Sequence, residues 1–318
     1  MSYKVVIAKG VSEVGKAYLL ERNYTVIADA TPERIRDEIK TCDAILARTE
    51  VYTPEMLEEA NHLKVIAKNG VGYDNFPLEK ATERGIYITN APHSNAVSVA
   101  EHTLSLMMAL AKNLLISHSN LQIGNFDVRN QIVNCELEGK VLGIIGYGRI
   151  GSILANKASN ALNMNVICYD PYVNPKAVIP EVKVINQLER VLSRSDFISL
   201  HLPLTNETKG LISGRELSVM KKTSFLLNAG RGGLVNEADL FFALKEKIIA
   251  GAAIDVFEEE PPAPDHPLLS LDNILVTPHS AALTVEAKDR MALHAAIGID
   301  EVLSGRQPSW PVNQPDLS

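Results

Sequence analysis

Residues 141–152 constrain the fold of this chain more than any other segment, and they read VLGIIGYGRIGS. The apolar first part is typical of a strand that is buried on both faces of a parallel sheet. Gly146, Gly148 and Gly151 follow in the spacing G-x-G-x-x-G. In such a turn the first glycine allows the tight bend, the second lets backbone approach a pyrophosphate, and the third lets a helix pack closely on the strand. The segment therefore predicts a strand, a glycine turn and a helix whose N-terminal N–H groups bind phosphate.

The sequence after this turn supports a dinucleotide site. A glycine-rich connection also arises wherever a strand and a helix are joined tightly, so the context decides. A second apolar run, residues 166–169, ends at Asp170, which lies 19 positions after Gly151. A dinucleotide site places the acid that holds the adenosine ribose hydroxyls at about this distance. Asp170 would repel the 2′-phosphate of NADP, and residues 171–173 contain no arginine that could bind this phosphate, so NAD is predicted over NADP. The alternative is that Asp170 has only a structural role at the end of its strand.

Length and charge exclude several classes of protein. A chain of 318 residues favours two domains over one. The net charge of −7 and the pI near 5.7 argue against nucleic-acid binding, which needs a basic surface. Cys42, Cys135 and Cys168 are widely spaced, so neither a disulfide framework nor a zinc site is indicated, and no metal site is expected.

The first residues and the most apolar helix both favour a cytoplasmic protein. Residues 3–8 form a short strand and are followed by polar residues, without the long apolar region of a signal peptide. A helix is predicted over about residues 98–117, and its charged side chains argue against a membrane span. Its apolar positions are too many for one stripe, which predicts that it supports a homodimer interface.

Strands and helices alternate along the chain, which predicts parallel sheets covered by helices. In the first part, strands are expected at residues 5–8, 25–28, 44–47, 65–67 and 86–89. Thr31 with Pro32 and Thr53 with Pro54 are start signals of helices between them. After the glycine turn, further apolar runs at 197–202, 224–229, 252–257 and 274–277 extend a second sheet to about six strands.

A helix is also predicted near the end of the chain, over about residues 282–303, and it should pack back on the first domain. The predicted domains are therefore residues 1–97 plus 283–318, and residues 98–282. Two crossings between domains would form a hinge and a cleft.

Reactive side chains follow three strands of the second sheet. Residues 228–233 read NAGRGG, Asp255 and a run of three glutamates follow the next strand, and Pro278 with His279 follows the last. Ligands of doubly wound sheets bind beyond the carboxyl ends of the strands. An arginine, an acid and a histidine are therefore expected to converge on one site.

These motifs resemble those of the D-isomer-specific 2-hydroxyacid dehydrogenase family, near its phosphoglycerate dehydrogenase branch. The matching segments are NGVGYDN at 69–75, the glycine turn with Asp170, NAGRG at 228–232, DVFEEEP at 255–261 and TPH at 277–279. The resemblance implies two doubly wound parallel-sheet domains of the α/β class, a flavodoxin-like substrate domain and a Rossmann NAD-binding domain.

By the same resemblance, Arg231, Glu260 and His279 are the catalytic residues. His279 would donate a proton to the carbonyl oxygen as hydride arrives, Glu260 would hold its ring and favour the protonated form, and Arg231 would bind the substrate carboxylate. Without the family pattern, His279 would be read as a packed loop residue and Glu260 as a solvated acid.

The resemblance also implies cofactor and substrate contacts. The implied NAD contacts are Val71, Val99, Gly146, Gly148, Arg149, Ile150, Gly151, Asp170, Leu202, Pro203, Ala229, Asp255, His279 and Ala281. The implied substrate contacts are Arg48, Lys68, Asn69, Gly70, Val71, Gly72, Arg231 and His279. The glycines of residues 69–72 could equally serve only a tight turn.

Substrate identity stays open among several alternatives. Arg48 and Lys68 match positions that are basic in phosphoglycerate dehydrogenases, which favours 3-phosphoglycerate and 3-phosphohydroxypyruvate, although both cations could be structural. Glyoxylate, hydroxypyruvate or an aliphatic 2-keto acid is the alternative. A different class is an NAD-sensing binding protein of the same fold. Glu260 argues against formate dehydrogenases, which carry glutamine there, and the end at Ser318 predicts a form without a C-terminal regulatory domain.

Overall fold

A computed structural model of the chain describes residues 2–315. It divides the chain into two compact units: the first comprises the residues up to Asn95 and those from Ala282 onward, and the second comprises Ala96–Ala281. The sequence placed these boundaries after residues 97 and 282. The outermost residues of the predicted first domain, 1 and 316–318, lie outside the described residues.

The first unit contains a five-stranded parallel sheet in the order β2-β1-β3-β4-β5, which is the order of flavodoxin-like sheets. The strands are β1 (Lys4–Ala8), β2 (Thr25–Ala30), β3 (Ala44–Ala47), β4 (Val65–Lys68) and β5 (Tyr87–Thr89). The helices are α1 (Glu13–Leu20), α2 (Pro32–Glu38), α3 (Pro54–Glu58), α4 (Leu78–Glu83) and α11 (Val285–Leu303).

The helix starts of this unit are those that the sequence indicates. Thr31 accepts a hydrogen bond from the N–H of Arg34, and Thr53 accepts one from Met56. In both helices the following proline occupies the first turn, where its missing N–H costs nothing. On one face of the sheet, apolar side chains of α11 such as Ile299 form a fully buried cluster with those of β1, β3 and β4.

The second unit contains a seven-stranded parallel sheet in the order β12-β11-β10-β9-β6-β7-β8. Read from β8, this is the Rossmann order 3-2-1-4-5-6 with a seventh strand added. The strands are β6 (Val141–Ile145), β7 (Asn165–Tyr169), β8 (Val182–Val184), β9 (Phe197–Leu200), β10 (Phe225–Asn228), β11 (Gly251–Ile254) and β12 (Ile274–Val276). The α/β fold class predicted from the sequence is confirmed for both units. The expected count of about six strands missed β8, a three-residue strand with Lys183 at its centre.

Helices cover both faces of this second sheet and leave its strand ends open to the connecting loops. They are α5 (Ala96–Ala111), α6 (Leu114–Gln122), α7 (Arg149–Leu162), α8 (Leu188–Arg194), α9 (Gly214–Val219) and α10 (Glu237–Lys245). Two buried clusters result, one on each face of the sheet.

The prediction of a single helix over residues 98–117 is wrong, because the structure has two helices, α5 and α6, in this part of the chain. Asn113 adopts a left-handed conformation with φ of 46° between α5 and α6. Its side-chain amide donates to the carbonyl oxygen of Val133 at 3.1 Å, and Lys112 donates to Cys135 at 2.8 Å. These contacts with a segment about 20 residues away compensate for the helical hydrogen bonds that the break removes.

Neither of these helices, nor any other in residues 2–315, is long and apolar enough to cross a membrane.

The three cysteines are free thiols. Burial raises the pKa of Cys42 to about 12 and that of Cys168 to about 11. Burial also raises the pKa of Cys135. The thiols are therefore protonated at neutral pH and are poor nucleophiles.

Candidate active site

The glycine turn lies at the carboxyl end of β6, between this strand and α7. Gly146 has φ of +92°, and a Cβ atom on Gly151 would lie 2.3 Å from the carbonyl oxygen of Gly146. Only glycines therefore allow the helix to start so close to the strand. A Cβ atom on Gly148 would meet no atom within 4 Å, so there is open space directly before α7.

The N-terminus of α7 has no side-chain cap, because the residue at its N-cap position is Gly148. The first N–H groups of a helix have no partner within the helix, and those of α7 follow directly after the open space at Gly148. A pyrophosphate can accept these hydrogen bonds, and the positive end of the helix dipole favours its charge. This part of the structure fits the phosphates of a dinucleotide.

Asp170 follows β7 at the same edge of the sheet. Its two carboxylate oxygens accept from the N–H groups of Tyr147 and Tyr172, both at 2.9 Å. The side chain is partly exposed, and each oxygen has a further lone pair for a ribose hydroxyl. Asp170 is therefore fixed beside the glycine turn, as a ribose ligand has to be.

The other implied cofactor contacts of this unit differ in how exposed they are. Leu202 has a methyl group 2.9 Å from the position of a Cβ atom on Gly146, and Pro203 is exposed. Val99, Ala229 and Ala281 are 5%, 7% and 5% exposed. The structure therefore places Leu202 against the glycine turn. Val99, Ala229 and Ala281 are largely covered by other residues of the protein.

The loop that carries Arg231 is shaped by Asn228 at the end of β10. The amide of Asn228 donates to the carbonyl oxygen of Arg231 at 2.9 Å, and its oxygen accepts from the N–H of Gly230 at 3.1 Å. A Cβ atom on Gly232 would lie 1.7 Å from the carbonyl oxygen of Phe257. Glycine at this position thus allows the Arg231 loop to touch the segment that leads to Glu260.

Glu260 and His279 are joined directly. The Nδ1 atom of His279 lies 2.7 Å from Oε2 of Glu260, and Oε1 of Glu260 accepts from the N–H of Phe257 at 3.1 Å. Burial acts to raise the pKa of Glu260, but the hydrogen bonds from His279 and Phe257 and the charges of His279 and Arg231 together lower it below its ordinary value. The carboxylate is therefore ionised at neutral pH, and an arginine, a glutamate and a histidine meet in one place.

The backbone of His279 is held by Asp255. His279 has φ of 49°, a left-handed conformation that non-glycine residues rarely adopt and that costs about 1 kcal/mol or more. Its N–H donates to the carbonyl oxygens of Asp255 at 2.8 Å and of Thr277 at 3.0 Å. The carboxylate of Asp255, which is fully buried, accepts from the N–H groups of Ser280 and Ala281 at 2.8 and 2.9 Å. A nicotinamide contact through this carboxylate would compete with these protein donors.

The implied substrate residues of the first unit follow β3 and β4. Arg48 donates to the carbonyl oxygen of Lys9 at 3.0 Å, and Lys68 donates to the carbonyl oxygen of Arg48 and to Asn75 at 3.3 Å. The structure therefore places the ammonium group of Lys68 against the backbone of Arg48, while the guanidinium group of Arg48 binds the carbonyl oxygen of Lys9.

The loop after β4, residues 69–72, is fixed by the segment that follows β5. Ala91 donates to the carbonyl oxygen of Gly70 at 2.8 Å, and the amide of Asn90 donates to that of Val71 at 2.7 Å. Gly70 is buried with φ of 152°, and its own N–H donates to Lys68 at 2.9 Å. Of the N–H groups that the sequence offered to a substrate carboxylate, that of Gly70 is therefore already in use.

Some residues of the site were missed by the sequence reasoning. Asn228 shapes the Arg231 loop, and its position as a polar residue directly before Ala-Gly-Arg could have indicated this. Thr277 and His102 contact each other at 3.2 Å behind the His279 loop. Their separation of 175 residues leaves no signal in the local sequence.

The fold and this site together define a dinucleotide-binding α/β protein with an Arg–Glu–His cluster at the carboxyl edge of its seven-stranded sheet. Across residues 2–315, no group of three His, Cys, Asp or Glu side chains is arranged to hold a metal ion.

Comparisons with known proteins identify the family. Residues 104–281 match the sequence model described as "D-isomer specific 2-hydroxyacid dehydrogenase, NAD binding domain". The chain is 42% identical to a D-3-phosphoglycerate dehydrogenase of Methanocaldococcus jannaschii over 92% of its own length. It is 36% identical to a glyoxylate reductase of Thermofilum pendens, covering 98% of this chain and 94% of the relative. The crystal structure of a D-lactate dehydrogenase of Aquifex aeolicus, complexed with NAD and lactic acid, superposes with a TM-score of 0.87 at 27% identity, covering 98% and 100% of the two chains.

The chain belongs to the D-isomer-specific 2-hydroxyacid dehydrogenase family, as its motifs led us to expect. The cofactor predicted from the glycine turn and Asp170, NAD, is confirmed by the matching NAD-binding domain. The chain spans 56% of the length of the M. jannaschii phosphoglycerate dehydrogenase.

Proposed function

We propose that this protein is an NAD-dependent oxidoreductase that interconverts a 2-keto acid and its D-2-hydroxy acid. The observation that carries the proposal is the 2.7 Å hydrogen bond between Glu260 and His279, together with the charge of Arg231 acting on the same carboxylate. A proton donor, the acid that orients it and a cation for the substrate are then present in one site.

The roles of the three side chains follow from their contacts. Glu260 accepts from Nδ1 of His279, which leaves Nε2 of the ring to donate a proton to the carbonyl oxygen of the keto acid. The ionised Glu260 stabilises the protonated imidazole and holds the plane of the ring. Arg231 binds the substrate carboxylate in a charge-assisted contact and orients the carbonyl carbon.

The same unit provides the groups that would hold NAD. The N–H groups at the start of α7 would bind the pyrophosphate, Asp170 the adenosine ribose, and Leu202 with Pro203 would cover the adenosine. Bound NADH supplies the hydride for reduction. From the first unit, Val71 and the loop of residues 69–72 are further candidate contacts to cofactor and substrate.

The first candidate substrate pair is 3-phosphoglycerate and 3-phosphohydroxypyruvate. The ammonium group of Lys68 contacts the backbone carbonyl of Arg48, which follows the neighbouring strand, and a dianionic phosphate is the group that two such cations would favour. The identity to named phosphoglycerate dehydrogenases, 42% in one relative and 38% in another, supports this choice.

A second candidate is reduction of glyoxylate, hydroxypyruvate or an aliphatic 2-keto acid. Arg48 and Lys68 donate to backbone carbonyls of their own unit, which is the behaviour of cations that stabilise the fold. The glyoxylate reductase relative also matches this chain over nearly its whole length, 94%. These observations favour a substrate without a phosphate.

The experiment that decides is NADH oxidation with 3-phosphohydroxypyruvate, hydroxypyruvate, glyoxylate, pyruvate and 2-ketoisocaproate, each at several concentrations. The highest kcat/KM for the phosphorylated acid would support the first candidate, and Lys68→Met should then raise KM for this acid alone. A preference for an unphosphorylated acid would reject it. NADH binding without turnover of any acid would reject the oxidoreductase and favour an NAD-sensing binding protein.

We also propose that two copies of the chain form a homodimer through α6. This helix contains Leu114, Leu115 and Leu121 but has no buried residue. Ile123 and Phe126, which follow it, are 81% and 61% exposed. A short helix in water is stable only when an apolar face is covered, and an exposed patch of this kind is typical of a protein interface.

A further inference from the structure

Behind the loop that presents His279 lies a polar network that reaches α5. The hydroxyl of Thr277 donates to Oδ1 of Asp255 at 2.5 Å, and Nε2 of His102 lies 3.2 Å from the same hydroxyl oxygen. Nε2 of His102 is also 3.6 Å from Oδ1 of Asp255. All three residues belong to the second unit.

The direction of these hydrogen bonds fixes the role of His102. A threonine hydroxyl has one hydrogen, and that of Thr277 is donated to Asp255. The oxygen of Thr277 can therefore only accept from His102, so Nε2 of His102 carries a proton. His102 thus acts as a donor that orients the Thr277 hydroxyl toward the carboxylate.

The carboxylate of Asp255 links this network to Ser280 and Ala281, which directly follow His279. Asp255 accepts from three consecutive N–H groups, that of His279 through its carbonyl oxygen and those of Ser280 and Ala281 through its carboxylate. These bonds hold His279 in its left-handed conformation, from which the ring reaches Glu260. A strained backbone conformation persists only where its surroundings determine it.

The side chain of His102 lies on the same face of α5 as Val99, a candidate nicotinamide contact. It follows Val99 by three residues, so the two side chains lie on the same face of the helix, one turn apart. The face of α5 that carries a candidate nicotinamide contact therefore also carries the donor that supports the proton-donating loop.

We propose that His102 is a positioning residue for His279 and acts through Thr277 and Asp255. The proposal rests on the proposed function, since His279 is taken as the proton donor. His102 does not touch the reacting atoms; it keeps the backbone of residues 279–281 in the conformation that presents the ring of His279. Such support matters because a small displacement of a catalytic group lowers the rate strongly.

The test uses two matched pairs of variants in the full chain. Thr277→Val and His102→Met remove the hydrogen bonds, whereas Thr277→Ser keeps the hydroxyl and His102→Gln keeps an N–H near the position of Nε2. We expect kcat to fall about 10- to 100-fold in the first two, with KM and NADH affinity nearly unchanged, and to recover in the conservative variants. Because one network carries the effect, the double variant His102→Met/Thr277→Val should be no slower than the slower single variant.

A second readout does not need a substrate. Diethylpyrocarbonate acylates imidazole, and the half-exposed His279 can be followed by mass spectrometry of its peptide. Displacement of the His279 loop changes the exposure of the ring and its contact with Glu260, so the acylation rate should change at least about twofold in Thr277→Val and His102→Met, but not in Thr277→Ser or His102→Gln.

The two readouts separate the possible failures. Unchanged kcat and unchanged acylation in His102→Met would overturn the proposal, and so would a loss in His102→Gln equal to that in His102→Met. An inactive wild type would reject the proposed function, while the acylation rates would still test the positioning role. If Thr277→Val does not fold, the proposal is tested with His102→Met and His102→Gln alone. The side chain of His102 is 23% exposed, so its replacement disturbs the core less.

Discussion

At the scale of single residues, the site depends on a few charged side chains whose partners are fixed by geometry. Glu260 is ionised because His279, Phe257 and Arg231 together outweigh the effect of its burial. Asp170 is fixed by two backbone N–H groups. Each of these side chains can be changed without removing a buried apolar group, so each allows a clean test.

Glu260→Gln should lower the rate of keto-acid reduction. The wild-type carboxylate accepts a hydrogen bond from Nδ1 of His279 and holds its ring, and the neutral amide supports a proton-donating ring less well. We expect kcat to fall at least about tenfold. The measurement is kcat for both proteins under the same conditions, with Glu260→Asp as the charged control, and an unchanged kcat in Glu260→Gln would contradict this role.

Asp170→Asn should narrow the preference for NADH over NADPH. The amide keeps an oxygen acceptor for Tyr147 or Tyr172 but no longer repels a 2′-phosphate. Dissociation constants for both coenzymes, from titration of coenzyme fluorescence, give the ratio directly. We expect NADH to bind more weakly and NADPH more tightly than in the wild type. A constant ratio would show that Asp170 does not face the ribose.

At the scale of elements, the sequence was informative wherever the determinants of structure are local. The glycine turn, the caps at Thr31 and Thr53 and the positions of most strands were predicted because a few adjacent residues specify each of them, although β9, β10 and β11 end one to three residues earlier than expected. The break between α5 and α6 was not, because Asn113 obtains its partners from residues 133 and 134. Arg48 and Lys68 were recognised as neighbours of a sheet edge, but their hydrogen bonds to backbone carbonyls depend on folded loops.

The exposed helix α6 makes a prediction at this scale. Leu121→Asp places a charge in the patch that is proposed to be covered by a second copy, where desolvation of a carboxylate is unfavourable. We expect light scattering to give twice the chain mass of 34.7 kDa for the wild type and a concentration-dependent shift to the monomer for the variant. Leu20→Asp, at a 50% exposed position at the end of α1, is the control and should remain dimeric. A monomeric wild type would refute the dimer.

At the scale of the whole chain, alternation of strands and helices was enough to predict parallel sheets covered by helices, and the family motifs supplied the two fold types, flavodoxin-like and Rossmann. The sequence could not count β8, because three residues are too short for an alternating strand pattern to be recognised. It also could not find the network of His102, Thr277 and Asp255, whose members are far apart along the chain. The roles of the implied site residues and the cytoplasmic location remain predictions.

Stability of the folded chain should depend on pH through His201. Burial of its ring lowers the pKa of His201 to about 4, and its Nε2 atom lies 2.8 Å from the hydroxyl of Ser199. The unfolded chain binds a proton at this residue below about pH 6.5, whereas the folded chain does not. The contribution of His201 to the free energy of unfolding is therefore fully present above about pH 6.5. It is lost as the pH falls toward 4, which lowers the free energy of unfolding by at most about 3 kcal/mol.

Urea unfolding at several pH values measures this dependence. His201→Gln keeps a polar side chain but does not titrate, so the difference in unfolding free energy between wild type and variant should change between pH 6.5 and 4 and be constant above this range. A difference that is constant at all pH values would show that the ring of His201 binds its proton equally well in the folded and unfolded chains.

The central claim is that Arg231, Glu260 and His279 form a site that reduces a 2-keto acid with NADH, and Arg231→Ala tests it most directly. We would measure turnover of the best acid by this variant and, separately, its dissociation constant for NADH. The control is Arg215→Ala, because Arg215 is a 77% exposed arginine of the same unit. We predict a loss in turnover of about 10²- to 10³-fold with NADH affinity retained, and no change in the control. Turnover close to that of the wild type would remove Arg231 from the site and contradict the proposed mechanism.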